Sequence, residues 1–208
     1  MPSLPTPDYV CSYLHKWERD ETYQYKEHSL GLLFKELCPA NNLLAHVLLK
    51  VSVLNDLYST NIYDTYTVAK HIWKMNMEHR LKSGDGSLVN ELAMVTIKGK
   101  TRNFYSFASK YCSYHFPDSY PIYDSYVKKM LFHYARVDSF SHFTMKDLKH
   151  YESFVKVILD FQNYYRLGQF SLRQIDIFLW LAGKESFPLS HNKFITRPPM
   201  ATAPASDP

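Results

Sequence analysis

The chain has 208 residues, 46% of them hydrophobic and 21% charged, with a formal net charge of +4 at pH 7. This composition excludes a disordered or collagen-like chain, because there are only 6 glycines where average usage gives about 15. Tyrosine, phenylalanine and tryptophan make up 16% of the residues, so we expect a core built around aromatic rings.

Apolar residues recur at helical spacing along most of the chain. Two amphipathic helices are predicted around 9–17 and 30–37, with Asp8 and Asp20 as N-caps, and the most apolar helix, at 42–58, should be central and buried. Further helices are predicted at 63–75, 88–97, 101–114, 125–136, 145–165 and 172–181, with a flexible loop at 83–87 and a proline-bounded loop at 115–123.

The predicted fold class is all-α, because no alternating strand pattern competes with the helical spacing. We expect one compact helical domain over residues 1–188, followed by a disordered tail rich in proline, alanine and serine at 189–208.

The compartment and the absence of a metal are also predicted from residue usage. Cys11, Cys38 and Cys112 are odd in number and far apart, which is typical of reduced core thiols. The sequence has no apolar run of about 20 residues and no signal-peptide pattern at its start. The ten histidines form no zinc-binding spacing. We therefore expect a soluble cytoplasmic protein without membrane contact or metal.

Positive charge is concentrated in one segment. Residues 94–136 contain seven basic and two acidic residues, a net charge of +5, so the rest of the chain is slightly acidic. A clustered positive field suits a partner that carries phosphates, although such clusters are also common on ordinary solvated surfaces.

Three motifs in chain order resemble the helix-hairpin-helix DNA glycosylase superfamily, which includes endonuclease III and 8-oxoguanine DNA glycosylase. They are AHVLLKVSVLND at 45–56 with the helix after it, VTIKGKT at 95–101, and FASKY at 107–111 followed by YPIYDSYV at 120–127. The resemblance covers residues 40–137, and SLRQID at 171–176 with Trp180 and Gly183 is similar to proteins with an 8-oxoguanine-glycosylase-like fold. The hairpin has one glycine where the family usually has a pair.

The resemblance implies a helix-hairpin-helix-like element and cleavage of an N-glycosidic bond. It assigns the catalytic carboxylate to Asp124, which also occupies the N-cap position of a predicted helix and should stay ionised there. Bifunctional members add a lysine that forms a Schiff base with the sugar. Lys100 and Lys110 are both candidates, since they precede Asp124 by 24 and 14 residues and neither spacing matches the family. The four-cysteine motif of endonuclease III is absent, so no cofactor is predicted.

The same resemblance places DNA contacts at the hairpin and a base pocket beside Asp124. Backbone N–H groups around Gly99 would bind a phosphate, and the nearby basic side chains would add charge; these are Lys98, Arg102, Lys128 and Lys129. A lone glycine between helices is also a common C-cap. An extruded base would stack on rings beside Asp124 and contact polar groups. The pocket candidates are Tyr123, Tyr126 and Asp56, with Tyr120 and Tyr58 as further rings.

The resulting hypothesis is a DNA glycosylase that removes a damaged or modified base in base excision repair, with Asp124 as the carboxylate. The alternative is a catalytically inactive protein of this fold that binds nucleic acid or a protein partner, for example in bacterial antiviral defence. A third reading is N-glycosidic cleavage of free nucleotides. Salt-sensitive duplex binding and base release distinguish the three.

Overall fold

The computed structural model describes residues 2–188, most of which are helical, as the all-α prediction requires. The predicted tail at 189–208 lies outside the described residues. The helices are α1 (Pro7–Arg19), α2 (Glu21–Gly31), α3 (Leu44–Tyr58), α4 (Thr65–Lys74), α5 (Glu78–Lys82), α6 (Ser87–Ala93), α7 (Tyr105–His115), α8 (Ser125–Asp138), α9 (Tyr151–Tyr164) and α10 (Leu172–Ser186). A π-helical segment, Leu32–Leu37, continues α2, and a 3-10 turn, Asp147–Lys149, precedes α9.

Side-chain caps fix where several helices begin. The carboxylate of Asp20 accepts hydrogen bonds from the first turn of α2, and Asp124 does the same for α8, as predicted from their positions. The predicted cap Asp8 is wrong, because it lies within the first turn of α1. Thr6 caps that helix instead, since Pro7 occupies the first helical position, where its fixed φ is favourable.

The segment after α6 is a β-hairpin, which corrects the predicted helix at 88–97. Strands β1 (Met94–Ile97) and β2 (Lys100–Asn103) pair antiparallel, with Ile97 opposite Lys100. The two connecting residues, Lys98 and Gly99, have φ of 48° and 76°, the conformation of a two-residue hairpin turn. Gly99 therefore closes a β-turn and is neither a helix cap nor a phosphate-binding turn between two helices.

One hydrophobic cluster runs from Val10 in α1 to Ala182 in α10. The inner face of α3 is fully buried, as predicted for the central helix, whereas Leu49 on the opposite face is exposed. Helices α8 and α10 approach closely at Gly183, where an added Cβ would lie 2.9 Å from the backbone oxygen of Tyr126. This contact holds the first turn of α8 against α10, beside the cavity described next.

Candidate active site

A cavity of about 560 Å³ opens between the α1, α2 and α10 side of the protein and the α7 and α8 side. The end of α3 and the last residue of β2, Asn103, also line it. Its volume lies within the range of small-molecule sites in proteins. The described residues therefore include a concave site large enough for a nucleobase and part of its sugar.

Lys110 contributes a buried amine to the wall of this cavity. It lies in the middle of α7 and is only 4% exposed. Its Nζ donates to Ser106 Oγ at 2.6 Å and lies 5.3 Å from the centre of the Tyr58 ring. Burial lowers the pKa of Lys110, and the nearby charges of Asp124 and Asp176 oppose this shift. A larger fraction of this amine is therefore neutral than for a lysine in water.

Asp124 lies beside Lys110 on the cavity wall. Its Oδ1 accepts from the N–H of Tyr126 at 2.8 Å and so caps α8. Its Oδ2 lies 3.9 Å from Lys110 Nζ, and 21% of the side chain is exposed. The helix cap thus uses one carboxylate oxygen and leaves the other beside the amine. Capping and a role in the site are compatible for this residue.

Asp176, on α10, is a second carboxyl group that lines the cavity. It is 2% exposed, and its Oδ2 accepts from the N–H of Ile122 at 2.6 Å. Burial raises the pKa of Asp176 to about 7, although Arg173, the Ile122 hydrogen bond and Lys110 each oppose the shift. Within residues 2–188, the buried side-chain polar atoms without a hydrogen-bond partner are Asp176 Oδ1 and the Tyr105 hydroxyl. Both residues line this cavity.

A connected polar network that includes Tyr58 lies next to Lys110. Arg173 Nη2 donates to Glu27 Oε2 at 2.6 Å, and the Tyr114 hydroxyl donates to the same oxygen at 2.9 Å. The Tyr58 and Tyr114 hydroxyls are 2.6 Å apart. Burial disfavours the charge of Arg173, but Tyr114 and Glu27, together with Tyr58 and Asp176, hold its pKa well above the usual value. The network therefore adds a fixed ion pair, Arg173 with Glu27, to the cavity wall.

Aromatic rings form the remaining surface. Trp17 and Tyr23 are stacked at 4.8 Å between centroids, and Trp180 packs edge-on against Tyr23 at 5.4 Å. On the other side, Tyr105 and Tyr123 lie 4.6 Å apart. All five rings line the cavity. Flat aromatic walls with a few polar groups suit a planar heterocyclic ligand.

The structure brings together five of the predicted site residues. They all line the cavity and are Tyr58, Lys110, Tyr123, Asp124 and Lys128. Of the two candidate nucleophiles, only Lys110 lies beside Asp124, because Lys100 is exposed at the start of β2. The prediction of Lys100 as nucleophile is therefore not supported by its position.

The other predicted residues lie outside the cavity. Asp56 is exposed on α3, and Tyr126 packs against Gly183 of α10 instead of entering the pocket. Tyr120 is buried in the core, where its hydroxyl donates to the Leu81 carbonyl at 3.2 Å. The predicted phosphate contacts Lys98, Gly99, Arg102 and Lys129 are all exposed, the first three on the hairpin.

Five residues that line the cavity were not predicted as site residues from the sequence: Trp17, Tyr105, Glu27, Arg173 and Asp176. These residues are far apart along the chain, so the sequence did not indicate that they share a site; Glu27 and Arg173, for example, are separated by 146 residues. One signal was present: Arg173 lies in the first turn of α10, where the helix dipole disfavours a cation. An arginine at that position is explained by a carboxylate partner from another element.

A second buried lysine, Lys50, has a structural role and serves as a comparison for Lys110. Lys50 on α3 is fully buried, and its Nζ donates to the Ala40 carbonyl at 3.1 Å and to Asn41 Oδ1 at 2.6 Å. It also lies 3.2 Å from Nε2 of His115. Burial lowers the pKa of Lys50 to about 8. Lys50 does not line the cavity, and its contacts tie α3 to α7.

Residues 2–188 contain neither a metal-binding cluster of side chains nor a membrane-spanning helix. No group of three or more histidine, cysteine, aspartate or glutamate side chains there could hold a metal ion. Among the helices of this part of the chain, none has the length and apolar character to cross a membrane.

The fold and the cavity define a helical protein in which an aromatic-walled site holds a buried lysine beside two carboxyl groups. The chain belongs to the HI_0787_N family, whose model describes an N-terminal domain and matches residues 9–119. It is similar to an uncharacterized protein of Haemophilus influenzae, with 47% identity over 174 residues that cover 81% of this chain and 84% of that protein. No solved structure matches the chain. The matched family segment includes Lys110 and ends before Asp124.

Proposed function

We propose that this protein is a DNA N-glycosylase that removes a damaged or modified base, with Lys110 as a Schiff-base nucleophile and Asp124 as the assisting carboxylate. The observation that carries the proposal is the pair itself. A buried amine lies 3.9 Å from a partly exposed carboxylate in a cavity of about 560 Å³. The same two residues stand in motifs that resemble the helix-hairpin-helix glycosylases.

The chemistry needs a neutral amine, which the burial of Lys110 favours. The lone pair of Nζ attacks C1′ of the nucleotide, and the C1′–N bond breaks with its electron pair remaining on the base. The departing base takes the proton that the attacking amine loses. The lone pair that remains on Nζ then forms the C1′–Nζ double bond of an iminium as the C1′–O4′ bond breaks, and O4′ keeps the electron pair of that bond and takes a proton from water. The carboxylate of Asp124 stabilises the positive charge that develops on the sugar.

The walls of the cavity suit the proposed ligand. A base that leaves the duplex must replace its lost stacking, and the rings of Trp17, Trp180 and Tyr123 provide flat surfaces on both sides. Two buried polar atoms without partners, on Tyr105 and Asp176, mark cavity residues whose hydrogen-bonding capacity is not used within the described protein.

The location of the hairpin supports a duplex as the substrate. Asn103 at the end of β2 lines the cavity, so the hairpin ends at the cavity wall. Lys98, Lys100 and Arg102 are exposed on this hairpin, and Lys128 lies at the cavity itself. Cations around the opening of a base-sized cavity would contact the phosphates that flank an extruded nucleotide.

Borohydride trapping on a duplex with one abasic site tests the nucleophile, because hydride reduction converts the iminium to a stable secondary amine. We expect a covalent adduct that peptide mass mapping assigns to Lys110. Lys110→Ala should abolish the adduct, whereas Lys100→Ala, the matched exposed lysine, should retain it. Duplexes that each contain one oxidised, deaminated or alkylated base test base release, which Asp124→Asn should reduce by at least about 10²-fold.

Other outcomes would contradict the proposal. An adduct on Lys100 would contradict the role of Lys110 as the nucleophile. Base release by Asp124→Asn at the wild-type rate would contradict the role of Asp124 as the assisting carboxylate. Salt-sensitive duplex binding without adduct or base release would favour the binding protein that lacks catalysis. Cleavage of free nucleotides without duplex binding would favour the nucleotide-cleaving alternative.

A further inference from the structure

The backbone just before Asp124 is held by side chains from three other helices. This segment, residues 121–124, connects the loop after α7 to α8 and ends in the carboxylate that faces Lys110. Its hydrogen bonds are short and lie in the interior of the protein. They run from the Tyr151 hydroxyl to the Pro121 carbonyl at 2.6 Å, from the Ile122 N–H to Asp176 Oδ2 at 2.6 Å, and from the Tyr123 N–H to Ser109 Oγ at 3.0 Å.

Asp176 differs from the other two anchors, a tyrosine and a serine, because it buries a carboxyl group for a single backbone hydrogen bond. Its Oδ1 has no partner within the described residues, although a buried unpaired polar atom costs stability. An asparagine could accept from the same N–H without burying a charge. Stability alone therefore does not explain a carboxyl group at this position, which lies on the cavity wall with Lys110.

We propose that Asp176 is a positioning residue of this site, which fixes the backbone at Ile122 so that Asp124 faces Lys110 and whose negative charge acts on the Lys110 amine. The inference rests on the proposed glycosylase function and extends it to a residue that binds the backbone two positions before the assisting carboxylate. Asp176 acts through Ile122 and Lys110, so it needs no contact with the substrate.

The charged and titratable groups that face Asp176 come from four elements. Arg173 lies on the same helix, Lys110 on α7, Asp124 at the start of α8 and Tyr151 on α9. An ionised Asp176 raises the pKa of Lys110 and so opposes the lowering caused by burial. Removal of the negative charge should therefore lower the pKa of Lys110 further.

Two substitutions separate the hydrogen bond from the charge. Asp176→Asn keeps an oxygen that accepts from the Ile122 N–H but carries no charge, and Asp176→Ala removes both. With the abasic-site duplex, we expect Asp176→Ala to lower the single-turnover rate of adduct formation by about 10²-fold, since small misplacements of catalytic groups have effects of this size. Asp176→Asn should stay within about tenfold of the wild type, and the acidic limb of its pH–rate profile should move to lower pH.

Ser109→Ala is the matched control, because it removes another anchor of the same segment without changing any charge. It should lower the rate and leave the pH–rate profile in place. An unshifted profile in Asp176→Asn, or equal rates for Asp176→Asn and Asp176→Ala, would overturn the inference. A purely structural role predicts an unshifted profile.

NMR supplies a readout that does not depend on turnover. Titration of the Lys110 side chain should give a lower pKa in Asp176→Asn than in the wild type, and hydrogen exchange of the Ile122 amide should accelerate only in Asp176→Ala. Unchanged values in both measurements would refute the positioning role even in an active enzyme. Both changes could occur while the wild type forms no adduct and releases no base. In that case the glycosylase proposal fails, but the conclusion that Asp176 positions Asp124 relative to Lys110 stands.

Discussion

The stability of the protein should reveal the cost of burying Asp176. Its pKa is 3.8 in a model peptide and about 7 in the folded protein. The folded state therefore binds this proton more tightly, and stability falls as pH rises from about 4 to 7. A difference of about 3 pKa units corresponds to about 4 kcal/mol in the free energy of unfolding above pH 7. Asp176→Asn removes this penalty and keeps the acceptor for the Ile122 N–H.

Urea unfolding of the two proteins at pH 4 and pH 8 measures this effect. The stability of Asp176→Asn relative to the wild type should increase by about 4 kcal/mol between these pH values. Any fixed cost of the amide, such as an unpaired N–H of about 1–3 kcal/mol, cancels in the comparison. Asp118→Asn, at an exposed position, controls for the loss of one negative charge. A stability difference that stays constant with pH would refute the argument that Asp176 is a buried carboxyl with a raised pKa.

The remaining predictions concern a buried lysine, a helix contact and the hairpin. The pKa of Lys50 falls to about 8, so its buried cation should destabilise the fold below that pH, and stability relative to Lys50→Met should rise by about 3 kcal/mol between pH 8 and 10.5 in urea unfolding. Gly183→Ala should lower the thermal midpoint despite the better helix propensity of alanine, because the new Cβ meets backbone at 2.9 Å. Alanine at Lys98, Lys100 and Arg102 together should reduce the slope of log affinity against log salt for duplex DNA by about 2 to 3, and an unchanged slope would exclude phosphate contacts there.

Local signals predicted most of the helices well. Repeating apolar residues and capping side chains act within one or two turns, so the helices that begin after Asp20 and Asp124 could be located from the sequence. The hairpin could not, because apolar residues at helical spacing continue from α6 into β1. What ends the helix is the pairing of β1 with β2 across two residues with positive φ. The sequence carries that preference weakly, with a single glycine.

The part of the site that could be predicted is Asp124, a residue that both caps its own helix and contacts a side chain from another helix. Asp124 was predicted both as a helix cap, from its position, and as the carboxylate of the site, from the family resemblance; one oxygen caps α8 and the other lies 3.9 Å from Lys110 Nζ. Asp56 and Tyr126 were predicted from nearness in the motif, but a helix turns neighbouring residues to different faces. The carboxylate of Glu27 and the guanidinium of Arg173 could not be paired from the sequence, because α2 and α10 meet only in the folded protein.

The two buried lysines differ in how completely their amines are hydrogen-bonded, and this difference favours Lys110 as the functional residue. Lys50 is surrounded by a carbonyl, an amide oxygen and an imidazole nitrogen, so the fold itself explains its burial. Lys110 donates to Ser106 Oγ at 2.6 Å and, at the longer distance of 3.4 Å, to the Ser106 carbonyl on its own helix, while its carboxylate partner remains at 3.9 Å. The structure therefore buries this amine without completing its hydrogen bonds, and it does so on a cavity wall. An incompletely paired amine next to an accessible cavity is costly for stability and well placed for nucleophilic attack.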